Sequence, residues 1–301
     1  MSEAIKNRYE FIILFDVENG NPNGDPDAGN LPRVDAETGH GLVTDVCLKR
    51  KIRNYVDTVQ ENMDQKEQHR FQIYIKNDAT LNSKDQAAYQ HEGVDKSQIK
   101  DLKKENPSID IAIRDYMCRE FYDIRTFGAV MTTFVSANLN CGQIRGPVQI
   151  GFARSIDPIF SKSIAITRLA VTTEKDALEK RNTMGNKFII PYALYRAEGY
   201  VSANLARRFT GFSEEDLELL WEAIINMFEH DHSAARGKMA VRELIVFRHE
   251  SELGNAPSHR LFDLVQVHRR EGVQAPRAYT DYEVRIDEAA VPAGVTCIRK
   301  V

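Results

Sequence analysis

The chain has 301 residues, 42% hydrophobic and 28% charged, a balance that supports a folded core and excludes a disordered chain. Lysine and arginine number 40 against 44 aspartate and glutamate, so the net charge of −4 excludes a uniformly basic nucleic-acid binder but not a local basic surface. At roughly 150 residues per domain, the length corresponds to about two domains or one elaborated domain.

Tyr9 to Val17 is an apolar, β-branched and aromatic run that reads as a strand buried on at least one face. Residues 18–41 follow, with NGNPNGDPDAGN at their centre, and Gly, Pro, Asn and Asp there forbid regular structure. Thr44 has the character of a helix N-cap. Leu48, Ile52, Tyr55, Val56 and Val59 recur at helical spacing, which predicts an amphipathic helix over 45–62 with Lys49, Arg50 and Arg53 on its polar face. Phe71 to Lys76 alternates and predicts a second strand. Residues 77–110 are polar and read as an insertion, and 111–131 as mostly helical. Pro147 to Phe152 predicts a strand, and 160–187 a polar excursion. Strand character returns at 188–195 and 197–201. Ser213 and an acidic first turn open a helix over 217–228. Residues 241–247, 261–267 and 282–286 read as strands. Without its insertions the order approaches β-α-β-β-α-β, the order of a ferredoxin-like sheet.

Cys47, Cys118, Cys141 and Cys297 include no CxxC pair, which excludes a zinc ribbon and a thioredoxin-type redox pair; they read as reduced thiols in a cytoplasmic protein. The N-terminal MSEAIKNRYEF has no apolar stretch of signal-peptide length. The longest uncharged run, Thr126 to Ile144, contains Thr, Ser, Asn and Gly and does not read as a membrane helix. A cytoplasmic protein without a membrane partner is expected.

The near-neutral total hides a segregated pattern. Residues 15–40 hold six acidic residues and one basic, 141–212 hold eleven basic and five acidic, and 213–230 hold six acidic and none basic. Such a chain suits binding a polyanion and docking head to tail on copies of itself, although solvated faces explain the pattern as well. No P-loop, GxSxG or HExxH motif is present. His230-Asp231-His232 has the HxH spacing of metal ligands but sits at a predicted helix end, where His suits the helix dipole. Asp16, Glu18, Asn21, Asn23, Asp25 and Asp27 imitate a calcium loop. Pro22 and Pro26 break that pattern, and a turn-rich loop whose Asn and Asp bond their own backbone is the simpler reading. Lys49 and Arg53, four residues apart behind Thr44, suit a phosphate at a helix N-terminus. Arg145 and Gly146 immediately precede a strand, where a small residue allows close approach and Arg suits phosphate. Arg168, Lys180, Arg181, Asn182, Met184 and Lys187 fall on the 160–187 excursion, and an apolar tip among basic residues is what a base-wedging hairpin needs.

The segments FDVENGNPNGDP, CLKRKIR, DIRTFGAVM, RGPVQIGFARSIDPI, ITRLAVTTEKDALEKRNTMGNKFIIPYALYRAEGYV and DHSAARGKM, in this order, resemble the backbone subunit of the type I-C CRISPR Cascade surveillance complex. This is the Cas-seven family of the RAMP superfamily. The resemblance covers most of residues 9–250. It implies an α+β fold: an RRM-like antiparallel palm (1–76, 121–159 and 188–301 with a C-terminal extension), inserted helical fingers (77–120) and a protruding β-hairpin thumb (160–187). It implies that copies stack along one CRISPR RNA into a helical filament, that a neighbour's thumb kinks the RNA at regular intervals, and that the segments between kinks pair with target DNA. The large, small and 5′-handle-binding subunits of Cascade are implied as further partners, with no catalytic residue, metal or cofactor.

Carried onto this sequence, Thr44, Lys49 and Arg53 match helix-start positions that contact guide-RNA phosphates, with Arg50 on the same helix. Asn21 and Asn23 lie in the neighbouring loop. Arg145, Gln149 and Arg154 match the RGPVQ strand and its flank, and Arg168, Arg181, Asn182, Met184 and Lys187 belong to the thumb. Asp45, Val46 and Cys47 depart from some relatives, which carry Ser and Gln contacts there. The rival reading is a metal-dependent endoribonuclease, with Asp16, Asp25 or Asp27 as metal ligands or His230 and His232 as an acid/base pair.

Overall fold

A computed structural model of the chain describes residues 3–64, 68–77, 80–94, 106–131, 134, 141–168, 170 and 183–301. The first part runs through β1 (Tyr9–Gly20), β2 (Gly24–Asp25), β3 (Leu31–Pro32), β4 (His40–Val43) and α1 (Asp45–Glu61). The middle holds α2 (Leu81–His91), α3 (Ile109–Glu120), α4 (Tyr122–Phe127), β5 (Gly128–Val130), β6 (Gln143–Arg145), β7 (Val148–Ile150), β8 (Ala153–Pro158), β9 (Lys162–Arg168) and β10 (Thr183–Val201). The last third comprises α5 (Ala203–Leu205), a π-turn (Ala206–Thr210), α6 (Glu214–Asn226), β11 (Lys238–His249), α7 (Ser258–Phe262), β12 (Val265–Arg269), β13 (Tyr282–Ile286) and β14 (Val295–Arg299).

The fold is mixed α+β, built on an antiparallel sheet of eight strands among the described residues. Its order is β14-β11-β1-β10-β8-β4, with β7 and β9 also paired to β10. Every residue from Tyr9 to Val17 is buried, because the sheet is covered on both sides. Tyr9, Phe11, Ile13, Phe15 and Val17 meet α1 and α6, where Trp221 lies edge-on to Phe11 at 5.2 Å. Ile12 and Leu14 point the other way, onto Phe262, Val265 and Tyr282. Period-2 alternation therefore gives two apolar faces here, as in a strand with no solvent side. One polar residue on the second face, Glu10, is partnered at both oxygens: its Oε1 accepts from Arg8 Nε (2.7 Å) and Ser258 Oγ (2.9 Å). Since the Asn255 amide donates to His249 Nδ1 (2.7 Å), His249 Nε2 carries the proton and donates to Glu10 Oε2 (2.5 Å).

A separate apolar cluster joins α2, α3 and α4 through Tyr89, Ile113, Met117, Phe121 and Phe134. β10 is long enough to serve two partners. Residues 190–201 pair with β1, and 183–189 form a hairpin with β9, which is exposed along its whole length. Pro191, which has no amide hydrogen, sits where the strand passes from one partner to the other.

Both capping expectations match the structure. Thr44 Oγ1 accepts from the Cys47 amide, and Ser213 and Asp216 form a reciprocal capping box. Phe71–Lys76 is not a strand: a 3₁₀ turn covers His69–Phe71, and the Tyr74 and Ile75 amides donate to the Asp123 carboxylate (2.7 and 3.1 Å). A side chain thus takes the place of a neighbouring strand. The helix expected over 111–131 breaks at Phe121, whose backbone is extended, and ends at Gly128. The 261–267 stretch divides into the end of α7 and the start of β12. Among the described residues no helix is long and apolar enough to cross a membrane.

Candidate nucleic-acid interface

Helix α1 turns Leu48, Ile52 and Val56 into the core, which leaves Lys49 and Arg53 on its other side, one above the other. Both are largely covered, at 14% and 12% exposure, because they rest on the Phe127 ring at 5.7 and 5.2 Å from its centroid. Their partners differ. Lys49 Nζ holds Asp45 Oδ2 (2.9 Å) at the edge of the helix. Arg53 Nε donates to Asp123 Oδ2 (2.8 Å), the same carboxylate that accepts the Tyr74 and Ile75 amides. Arg53 is thereby a structural cation, whereas the Lys49–Asp45 pair is a helix-surface i,i+4 contact of a kind worth only a few tenths of a kcal/mol, about 0.3–0.5, and open to exchange for an external anion.

Phe127 is positioned by the turn that follows it. Gly128 has φ +80°, and a Cβ there would lie 2.2 Å from the Ile144 carbonyl oxygen. A Cβ on Gly146 would lie 2.2 Å from the Phe127 carbonyl carbon. Only two glycines allow β5 and β6 to close this tightly against α4. The result is a cleft of about 480 Å³ between Phe127, Val130, Arg145, Gln149 and Leu205. Arg145 is exposed on its wall with no ion pair among the described residues. Gln149, also exposed, donates to the Gly146 carbonyl (3.2 Å). Arg50 is half-buried, and it too has no ion pair among the described residues.

The loop residues expected beside the helix are there. Asn23 Oδ1 accepts from both the amide and the hydroxyl of Thr44 (3.0 Å each), and Asn21 Nδ2 donates to the Asn30 carbonyl (2.8 Å). Asn21 Oδ1 is buried and has no hydrogen-bond partner among the described residues. Arg154 stands apart from Phe127, on β8, where it pairs with Asp35 (2.9 Å) and touches Thr38. Arg168, Met184 and Lys187 lie on the β9–β10 hairpin, with Met184 70% exposed. Arg181 and Asn182 lie outside the described residues. The structure thus gathers Thr44, Asn23, Lys49, Arg53, Arg145 and Gln149 around α1 and Phe127, and carries the hairpin residues elsewhere.

Sequence reasoning missed Phe127, although the DIRTFG string marks it by the glycine that ends the helix. The same basic run, CLKRKIR, also contains Lys51. Lys51 is fully buried and bonded to Asp231, which also pairs with Arg236. Burial lowers the Lys51 pKa. Of the acids considered as metal ligands, Asp16 accepts from Tyr192 (3.0 Å) and Arg242 (2.9 Å), and Asp25 pairs with Arg33 (3.3 Å). His230 packs against the Tyr55 ring at 6.1 Å. Among the described residues no group of three or more His, Cys, Asp or Glu could hold a metal ion.

An antiparallel sheet packed against α1 and α6, with a cleft that Phe127 and Arg145 line, defines an α+β protein. The family model for CRISPR-associated protein Cas7 matches residues 7–287, and the chain belongs to that family. It is 25% identical over 285 residues to a CRISPR-associated protein Cas7 of Haloferax volcanii, covering 87% of this chain and 75% of the relative. Among solved structures, it is similar to a chain of a CRISPR RNA-guided surveillance complex in a pre-nicking state, with a TM-score of 0.47, 12% identity and coverage of 80% and 78%. A chain of a second CRISPR RNA-guided surveillance complex gives a TM-score of 0.44 at 11% identity, with coverage of 80% and 68%.

Proposed function

We propose that this chain is the non-catalytic, RNA-binding backbone subunit of a type I-C Cascade complex in antiviral defence. In this reading copies polymerise along the CRISPR RNA, kink it at regular intervals and present it for pairing with target DNA. The large, small and 5′-handle-binding subunits complete the assembly, in the cytoplasm. The observation that carries the reading is Phe127, which has Lys49 and Arg53 over its ring and lines an open cleft together with the exposed Arg145, in a chain whose net charge is −4. An aromatic face with cations beside it is the combination that holds a single strand without reading its sequence, and a guided complex leaves sequence to base pairing.

The family membership supports the division into an RRM-like palm, fingers over 77–120 and a thumb over 160–187. The sheet order β11-β1-β10-β8, with α1 and α6 on one face, supports the palm. The exposed strand β9, paired with the first part of β10 where Met184 is 70% exposed, supports the thumb. The endoribonuclease alternative is disfavoured by the ion pairs in which Asp16 and Asp25 are already engaged.

The test is retention of RNA. The purified chain is expected to carry nuclease-sensitive nucleic acid, read from its absorbance ratio before and after nuclease. Its affinity for any single-stranded RNA should fall with salt by roughly 0.7 log units per log unit for each phosphate contacted. A protein that binds no RNA at low salt, or cleaves it with Mg²⁺ and loses that cleavage in Asp25→Ala, refutes the proposal.

A further inference from the structure

A second concavity, which shares no lining residue with the cleft at Phe127, lies between α3, Arg125 of α4 and the 207–211 segment. It has a volume of about 270 Å³, and its lining carries six arginines and a single carboxylate, Asp115. Such a ratio is anomalous in a chain with more acidic than basic residues. One of the six, Arg125, is structural: all five of its N–H groups are used, two on Asp216 and three on the carbonyls of Cys118, Arg119 and Arg70. It forms a rigid floor. The others are differently placed. Arg208 is exposed and has no ion pair or hydrogen bond among the described residues. Arg207 is 60% exposed and shares Glu252 with Asn204. Arg119 pairs with its sequence neighbour Glu120, meets His91 at 3.4 Å and lies over the Tyr116 ring at 5.3 Å.

The π-turn explains how these groups come to face one place. The Gly211 amide reaches back to the Ala206 carbonyl (2.8 Å), and the wide turn leaves Arg207, Arg208 and Phe209 exposed in succession. Phe209 is 45% exposed and lines the same pocket. Guanidinium forks match phosphate oxygens, and an exposed ring beside them suits a base. The volume lies just below the ~300–1,000 Å³ of ordinary ligand pockets, so it has room for one small unit. An acidic peptide fits less well. Its successive carboxylates would meet Asp115 and the neighbouring Glu215, whereas a nucleotide brings one compact anion and one flat apolar face.

We propose that this pocket is a second nucleic-acid contact, which takes a single nucleotide with its phosphate on Arg208, Arg207 and Arg119 and its base against Phe209. It goes beyond the guide-binding reading and rests on it only for the strand that would supply the nucleotide.

The test uses the full chain, freed of nucleic acid, titrated calorimetrically with uridine 5′-monophosphate, uridine, inorganic phosphate and a peptide of residues 20–38. The monophosphate is expected to bind at least tenfold more tightly than uridine or phosphate. Arg208→Glu should weaken it at least tenfold, and Phe209→Ala should erase its advantage over phosphate. Arg145→Glu should leave it unchanged while impairing RNA retention. Both surface variants leave the core untouched, and matching circular dichroism spectra would verify this. Equal binding of monophosphate and phosphate, insensitivity to Arg208→Glu, or binding of the peptide alone overturns the proposal. Loss of RNA retention in Arg145→Glu without any monophosphate binding overturns the pocket and leaves the guide-binding reading standing. Monophosphate binding sensitive to Arg208→Glu but not to Arg145→Glu supports the pocket, whatever happens to RNA retention.

Discussion

Arg125 and Asp216 meet in a two-pronged ion pair, Nε–Oδ2 at 2.9 Å and Nη2–Oδ1 at 2.7 Å, with side-chain exposures of 3% and 0%. The pair joins α4 to the first turn of α6, and Asp216 is at once the capping-box residue of that helix. Removing one member would strand a buried charge. Arg125→Met or Asp216→Asn is expected to destabilise the fold by about 3–5 kcal/mol, seen as a lower midpoint in urea with an unchanged slope. The double variant should recover part of the loss, and full additivity would show that the two groups do not depend on each other.

Arg53, over the Phe127 ring, and Arg145, on the wall of the cleft that Phe127 lines, should respond differently to truncation. Arg53→Ala removes the guanidinium from a buried carboxylate and should cost about 1–3 kcal/mol of stability. Arg145→Ala touches no ion pair and should leave the urea midpoint within about 0.5 kcal/mol of the parent while weakening RNA binding and reducing its salt dependence. Lys49→Ala should fall between. An Arg145→Ala protein that retains RNA with the parent's salt slope would remove Arg145 from the interface.

Gly128→Ala and Gly146→Ala each place a methyl group 2.2 Å from backbone atoms of the facing segment. Neither position can relax by turning a side chain. We expect losses of about 1–3 kcal/mol or more, together with a shift of Phe127. The measurement is thermal unfolding beside RNA binding: each variant should lose both, whereas Gly142→Ala, whose added Cβ meets nothing within 4 Å but whose φ of +70° disfavours alanine, should lose some stability and keep affinity.

Alkaline pH should unfold the chain earlier than neutral pH. Burial raises the Cys118 thiol to about 12, and raises Tyr9, Tyr55 and Tyr89 to about 12, chiefly by desolvation. A raised folded pKa keeps the proton on the native chain where the unfolded chain has lost it. The stability is therefore fully present below the unfolded values, near 9 for the thiol and 10 for the tyrosines, and declines as pH rises towards about 12. Each group ionised only in the unfolded chain should add roughly 1.4 kcal/mol per pH unit to that decline. Urea midpoints between pH 8 and 11 give the check, and a flat profile would contradict the burial of these groups.

The N-terminal strand, α1 with its Thr44 cap and the Ser213-opened helix were legible because their signals are local: apolar periodicity and a capping side chain within three residues. What the sequence could not reveal was set by distant partners. Phe71–Lys76 alternates like a strand, but its amides meet Asp123, some fifty positions further along. Lys49 and Lys51 sit two residues apart in one basic run. The first rests on the Phe127 ring beside Asp45 and the second is sealed against Asp231, a distinction that depends on where the 231–237 segment folds back. The candidate site was half legible for the same reason: Lys49, Arg53 and Arg145 were visible in the sequence, whereas the Phe127 ring beside them was not.

The rear of the sheet has a further consequence. Ile12, Leu14, Ile245 and Phe247 are kept from water by Phe262, Val265 and Tyr282, contributed from beyond residue 256. A version cut short before that point would present a broad greasy wall to its surroundings, so recombinant fragments covering only the first five-sixths of the chain should precipitate rather than stay in solution.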